Sequence, residues 1–180
     1  QLIVFTEFKD TLDYLDEYVK AWGYTTTQIH GDLNMKDRRR AERDFWAGEA
    51  QILLATEAAG EGINLQCCSV MINYDIPWNP CRLEQRMGRI HRYGQEAPVV
   101  HIFNFVAANT MEGEVQAAIL EKMEIMRGDL HDRVFDVLGK TLWSRELREA
   151  FVKMALGQEE GVAEAGRLLE QAGEDARRAK

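Results

Sequence analysis

Long apolar runs are missing from this sequence. Its apolar runs, such as residues 52–55, fall far short of the roughly 20 residues that a membrane-spanning helix needs. No basic segment followed by an apolar stretch opens the chain, so nothing in it reads as a signal peptide. Gln1 runs straight into an apolar stretch, and the chain is expected to be cut from a longer one. Cysteine is scarce: Cys67, Cys68 and Cys81 are an odd count with an adjacent pair, which excludes a disulfide framework. No C-x-x-C and no paired histidines follow, so a metal site of that type is excluded too. Small thiols in a reducing cytoplasm are the expectation. A basic excess is also lacking, the formal net charge being -8. That total weighs against a nucleic-acid partner, but the distribution matters more than the sum because screening confines surface charge to about 8–10 Å. Five of the eight residues 36–43 are basic, as are four of the eleven residues 82–92.

With 46% hydrophobic and 29% charged residues, the 180-residue chain has enough apolar material for a core, fitting one domain with appended structure. Residues 2–5 form a continuous apolar run, the mark of a strand buried on both faces. Leu12, Leu15, Val19 and Trp22 recur at helical spacing up to Gly23. A β-rich run over 25–29 stops at His30-Gly31-Asp32. Asn34 then reads as an N-cap with Asp37 three residues on, opening a helix that ends at Gly48. Strands are predicted at 51–56, 70–74 and 99–106, and helices at 83–91 and 110–127. Strand alternating with helix predicts an α/β fold with a mostly parallel sheet. Its ligand-facing loops leave the carboxyl ends of the strands. Thr6-Glu7, His30–Asp32, residues 56–64 and residues 75–79 all leave such ends. Beyond residue 127 a helical extension over 128–180 is expected.

The segment Gln85-Arg86-Met87-Gly88-Arg89-Ile90-His91-Arg92 carries the most specific chemistry. Arg89 and Arg92 stand three apart and share a face if the segment is helical. A guanidinium is always charged and grips phosphate oxygens in bidentate fashion. Two beside a glycine that permits close approach suit the charge developing on a transferred phosphoryl group, where such arginine fingers are worth about 10³–10⁵ in rate. An isolated R-x-x-R would read as a salt-bridged surface helix; the full Q-x-x-G-R-x-x-R is far more specific.

That segment resembles motif VI of superfamily 2 helicases. Thr56-Glu57-Ala58-Ala59-Gly60-Glu61-Gly62-Ile63-Asn64 resembles motif V. Residues 2–8 resemble motif IV, and His30-Gly31-Asp32 with Arg38 and Phe45 the block after it. All stand in the family's order. His91-Arg92-Tyr93-Gly94-Gln95 resembles the ending typical of Swi/Snf-type double-stranded DNA translocases. The string from Glu61 to Gln66, Asp75-Ile76-Pro77-Trp78-Asn79-Pro80 and Leu83-Glu84-Gln85-Arg86 are most similar to the bacterial RapA-like branch. Glu57, where many members carry Arg, Asp or Ser, and Ala59-Gly60-Glu61 depart from the usual Swi/Snf form.

The resemblance implies a RecA-like three-layer sandwich over residues 1–127. It implies that Arg89 and Arg92 are the fingers, that Gln85 senses the phosphate or nucleophile, and that Gly60, Gly62, Asn64 and Gly88 face the nucleotide. Thr6, His30, Gly31 and Thr56 would lie along a nucleic-acid backbone, with double-stranded DNA favoured and RNA left open, positioning it without reading sequence. The implied cofactor is ATP, with Mg²⁺ held mainly by an N-terminal RecA-like lobe; RNA polymerase or a defence complex is the kind of protein partner the branch uses. No G-x-x-x-x-G-K-[S/T] loop and no Asp-Glu pair after an apolar strand occur in these 180 residues, so the fragment alone is expected not to hydrolyse ATP. A strand-separating helicase lobe and a non-enzymatic scaffold are the alternatives.

Overall fold

The computed structural model describes residues 1–57, 63–77, 80–91 and 93–110, with scattered positions between 113 and 171. The described chain runs β1 (Leu2–Phe5), α1 (Lys9–Ala21), β2 (Thr26–Ile29), α2 (Met35–Trp46), β3 (Ile52–Ala55), β4 (Val70–Asn73), α3 (Pro80–Met87) and β5 (His101–Asn104). The five strands form one parallel sheet in the order β2-β3-β1-β4-β5. Two compact units are present, one of residues 1–77 and 82–105 and one of residues 78–81 and 106–180.

Parallel strands covered on both faces should be apolar throughout, and β3 is: Ile52, Leu53, Leu54 and Ala55 are all buried. Successive side chains point to opposite faces, so the strands feed two cores. Ile3, Phe5, Leu53, Ala55 and Met71 pack with Ala41 and Phe45 of α2 and with Leu65 and Ile90. Val4, Ile52 and Leu54 pack with Leu12 and Val19 of α1. With α1 on one face and α2 on the other, the unit is a three-layer α/β sandwich of RecA-like form.

Local chemistry sets the helix ends. The Asn34 side chain accepts from the N–H groups of Lys36 and Asp37 and donates to the Asp37 carboxylate at 2.6 Å, a variant of the expected capping box. Gly23 and Gly48, at φ of +89° and +77°, follow the ends of α1 and α2, where the chain enters the left-handed region that a Cβ disfavours. The third helix differs from expectation at both ends. It begins at Pro80, whose fixed φ and missing N–H suit a first helical turn, not at residue 83. It stops at Met87, because Gly88 is a poor helix former; Arg89 N–H and Ile90 N–H then close shorter bonds to the carbonyls of Arg86 (3.1 Å) and Met87 (3.2 Å). Arg89 therefore stands on the turn after the helix, and Arg92, expected to share a face with it, lies outside the described residues. In the second unit, Thr110 caps a helical start: its hydroxyl accepts from Gly113 N–H at 3.0 Å. Positions 113, 114, 116, 117 and 120 are helical, within the stretch predicted from 110.

Candidate functional site

The connection from β1 runs toward β2 on one side of the sheet and that from β4 toward β5 on the other, so the topological switch lies between β1 and β4. Ligands of open α/β sheets usually sit there. In this unit protein side chains occupy it. Asp75, just past β4, accepts from the Thr6 hydroxyl and, with both carboxylate oxygens at 2.9 Å, from Glu7 N–H.

Above the same ends lies Arg86, the largest fully buried side chain of the unit at 1% exposure. Its Nε donates to Glu57 Oε1 at 2.6 Å, and its Nη2 stands 2.5 Å from that oxygen. Nη1 donates to Asn73 Oδ1 (3.2 Å) and to the Asp75 carbonyl (2.8 Å); Nη2 reaches Asp75 Oδ1 at 3.5 Å. The guanidinium carbon is 5.4 Å from the Phe5 ring centroid, a cation–π distance. One cation thus joins the ends of β1, β3 and β4 to α3, and Arg82 adds an exposed pair to Glu7 at 3.3 Å. Burial of an arginine is tolerated only when its donors are met. Here the fork of donors meets two carboxylates, an amide oxygen and a carbonyl.

The expected site residues fall around this cluster. Thr6, His30 and Thr56 follow β1, β2 and β3 at one edge of the sheet, and all three are buried. Thr6 directs its hydroxyl to Asp75. Arg38 Nη2 donates to the carbonyls of His30 and Gly31 at 3.3 Å each, so this helix arginine shapes the turn. His30 Nδ1 lies 3.7 Å from Asp32, and Gly31 is exposed. Gln85 and Gly88 are exposed, Arg89 half-buried. Asn64 is exposed, but its carbonyl accepts from Trp46 Nε1 at 2.7 Å and its Oδ1 from Gln66 N–H at 3.2 Å. Gly60, Gly62 and Arg92 lie outside the described residues. Among the described residues no group of three or more His, Cys, Asp or Glu is placed to hold a metal, and no helix is long and apolar enough to cross a membrane.

The segment after α3 runs beside the segment that follows motif V. Leu65 N–H donates to the Arg89 carbonyl at 3.2 Å. Gln66 Nε2 donates to the Tyr93 carbonyl. Gln95 Nε2 donates to the carbonyls of Cys68 and Ile90, both at 2.9 Å. Cys67 and Cys68 lie in the same loop. Burial first, and the neighbouring Cys68 second, push the Cys67 thiol up to about 11, far from a nucleophile's range.

Sequence reasoning missed Arg86, Asp75, Gln66 and Gln95. A signal for Arg86 was present: with Leu83 and Ile90 it falls on the apolar spacing of the helix predicted over 83–91, where a charged residue must bring its own counter-ions.

A parallel sheet in this order, with helices on both faces, defines the class of RecA-like lobes. Residues 1–94 match the family model of the helicase conserved C-terminal domain, and the chain belongs to that family. It is 43% identical over 135 residues to the uncharacterized ATP-dependent helicase YqhH of Bacillus subtilis, covering 73% of this chain and 24% of that protein. It is 33% identical to the ATP-dependent DNA helicase DDM1 of Arabidopsis thaliana over 69% of this chain and 17% of that one. The chain thus spans about a quarter or less of these two relatives. Among solved structures, the C-terminal part of the Fun30 ATPase domain superposes with a TM-score of 0.61 at 26% identity, over 65% of this chain and 38% of that one. The C-terminal domain of the DEAD-box protein Dbp5 does so with 0.56 at 28%, over 67% and 68%. These similarities agree with the Swi/Snf-type superfamily 2 lobe that the motifs resemble.

Proposed function

We propose that this chain is the C-terminal motor lobe of a Swi/Snf-type, RapA-like ATPase that moves along double-stranded DNA in the cytoplasm. ATP is held by an N-terminal lobe of the same protein. Arg89 and Arg92 meet the γ-phosphate oxygens when the lobes close, and Gln85 and Gly88 stand beside them. Gly60, Gly62 and Asn64 face the nucleotide, while Thr6, His30, Gly31 and Thr56 line the nucleic-acid path. Domain closure and opening coupled to the nucleotide state then step the lobes along the duplex. One observation carries this reading: the Arg89 backbone is bonded directly to the segment leaving motif V, through Leu65 N–H at 3.2 Å. Phosphate sensing and nucleic-acid contact are thereby joined within one lobe.

The chemistry of the donor set fits a finger and not a cradle. The sequence has no phosphate loop, and the crevice at the switch point is taken up by Asp75. Mg²⁺ would be held mainly by that N-terminal lobe. The test is ATP turnover by the full-length protein with duplex DNA, and triplex displacement alongside duplex unwinding. Wild type should hydrolyse ATP and displace a triplex strand, and Arg89→Ala should lose roughly 10³-fold or more of its turnover. Unaltered turnover in Arg89→Ala would refute the finger, and unwinding without triplex displacement would refute the translocase.

A further inference from the structure

The Swi/Snf-like ending Tyr93-Gly94-Gln95 has no part in the chemistry above, yet its geometry is closely specified. Gln95 uses one side-chain amide to hold three chain segments. Nε2 donates to Cys68 O, in the loop between motif V and β4, and to Ile90 O, in the turn that carries Arg89. Its Oε1 accepts from Ala97 N–H at 3.0 Å. Three of the four hydrogen-bonding valences of the amide are met, and all of them by main chain. Gln66 makes the reciprocal tie from the motif V side to the Tyr93 carbonyl. Gly94 makes the pairing feasible. Its φ of +99° turns the chain between Tyr93 and Gln95 in a backbone conformation that a residue with a Cβ rarely adopts.

We propose that Gln95, assisted by Gln66, is a positioning residue for the arginine finger: it clamps the turn bearing Arg89 to the loop leaving motif V, so that both move as one body when the lobes close. The inference rests on the proposed reading of Arg89 as a finger. Its physical basis is orientation. A charged group that acts across a cleft must arrive within a fraction of an ångström, and a displacement of about 1 Å costs on the order of a hundredfold in rate. The backbone bond from Leu65 fixes one point of the turn; Gln95 fixes the next residue, Ile90, and the loop opposite. Glutamate cannot substitute, because it has no N–H, and leucine fills the space without either bond.

The experiment is steady-state ATPase kinetics on the full-length protein, comparing wild type, Gln95→Leu, Gln95→Glu, Gln66→Leu and Arg89→Ala, with folding checked by thermal melts and circular dichroism. Both Gln95 variants should remain folded and lower kcat by roughly ten- to a hundredfold with KM for ATP unchanged, and Gln66→Leu should lower kcat by a smaller factor. A merely structural role would lower the melting temperature and leave kcat of the folded enzyme at the wild-type value; that result overturns the proposal. If the Gln95 variants do not fold, Gln66→Leu decides alone, and an unchanged kcat in it is equally fatal. Full activity in Arg89→Ala would sink the finger reading itself, whereas inactive Arg89→Ala with fully active Gln95→Leu would sink the clamp alone.

Discussion

Replacing Arg86 by methionine should be among the most damaging single changes to the first unit. Methionine nearly fills the volume of the arginine stem but supplies no donor. Glu57 and Asp75 would lose their shared cation, and Asn73 Oδ1 and the Asp75 carbonyl would each lose a donor. Removing one partner of a buried ion pair costs about 3–5 kcal/mol. Each carboxylate side chain here keeps 25% of its surface exposed, so water recovers part of the loss. The lower end, about 3 kcal/mol, is expected. Against a total of about 5–15 kcal/mol for a typical domain, that is a large fraction. In a unit of about 100 residues each kcal/mol moves Tm by roughly 4–8 °C, which gives a fall of roughly 12–24 °C. Urea unfolding should show the same loss as a lower midpoint at unchanged slope. Arg86→Lys keeps the charge but not the planar fork and should fall between the two. The double variant Arg86→Met with Glu57→Gln should be less destabilised than the sum of the single changes, because it removes a carboxylate that would otherwise be left unpaired. If Arg86→Met unfolds within about 1 kcal/mol of wild type, the cluster does not hold the unit together.

Two further outcomes concern titrating groups. Burial tends to raise the Asp16 carboxyl, but bonds from Lys20 and the Thr26 hydroxyl, with the Lys20 charge, outweigh it and hold the group below its ordinary value. A depressed carboxyl adds stability above its unfolded value of about 4 and loses it as pH falls through the folded value. Asp16→Asn should therefore be less stable than wild type at pH 7, with the gap closing below about pH 4; a gap that is constant with pH would refute this. Cys67, held at about 11 by burial, is about one-thousandth thiolate at pH 8. Iodoacetamide at pH 8, followed by mass spectrometry of the Cys67 peptide, should label native protein at least about tenfold more slowly than protein in urea. Equal rates would refute the assignment.

The strands were legible in the sequence because each is a short apolar or β-rich run bounded by polar turn residues, and the first two helices because apolar spacing and glycine stops agree. The third helix was displaced for a definite reason. The helix predicted over 83–91 left Pro80 outside it, although proline at a first helical turn starts a helix as well as it ends a strand. Gly88 was read as a contact point within a helix and instead ends it, which moves Arg89 off the helix. The expected residues at the strand ends, Thr6, His30 and Thr56, could be placed because a parallel sheet delivers the carboxyl ends of its strands to one edge. Arg86 could not be recognised on charge alone: its role depends on Glu57, 29 positions away, and on Asn73 and Asp75, 13 and 11 away. Gln66 and Gln95 were equally hidden, since an amide that bonds main chain in another loop leaves no periodic mark.

The two arginines of this segment show how neighbouring residues of one type divide a task. Arg86 is fixed through its side chain, at 1% exposure, by partners from β1, β3 and β4. Arg89 is fixed through its main chain, its N–H bonded to Arg86 O and its carbonyl accepting from Leu65 N–H, while the residue itself stays half-buried. A guanidinium enclosed by carboxylates of its own lobe has its donors spent and its charge balanced, so it can organise the lobe but not act across a cleft. Holding the helix by Arg86 at the sheet edge, and the following turn by Gln95 and Leu65 at the motif V loop, brackets Arg89 from both sides. On the proposed reading of Arg89 as a finger, that arrangement keeps placement and chemistry on separate residues.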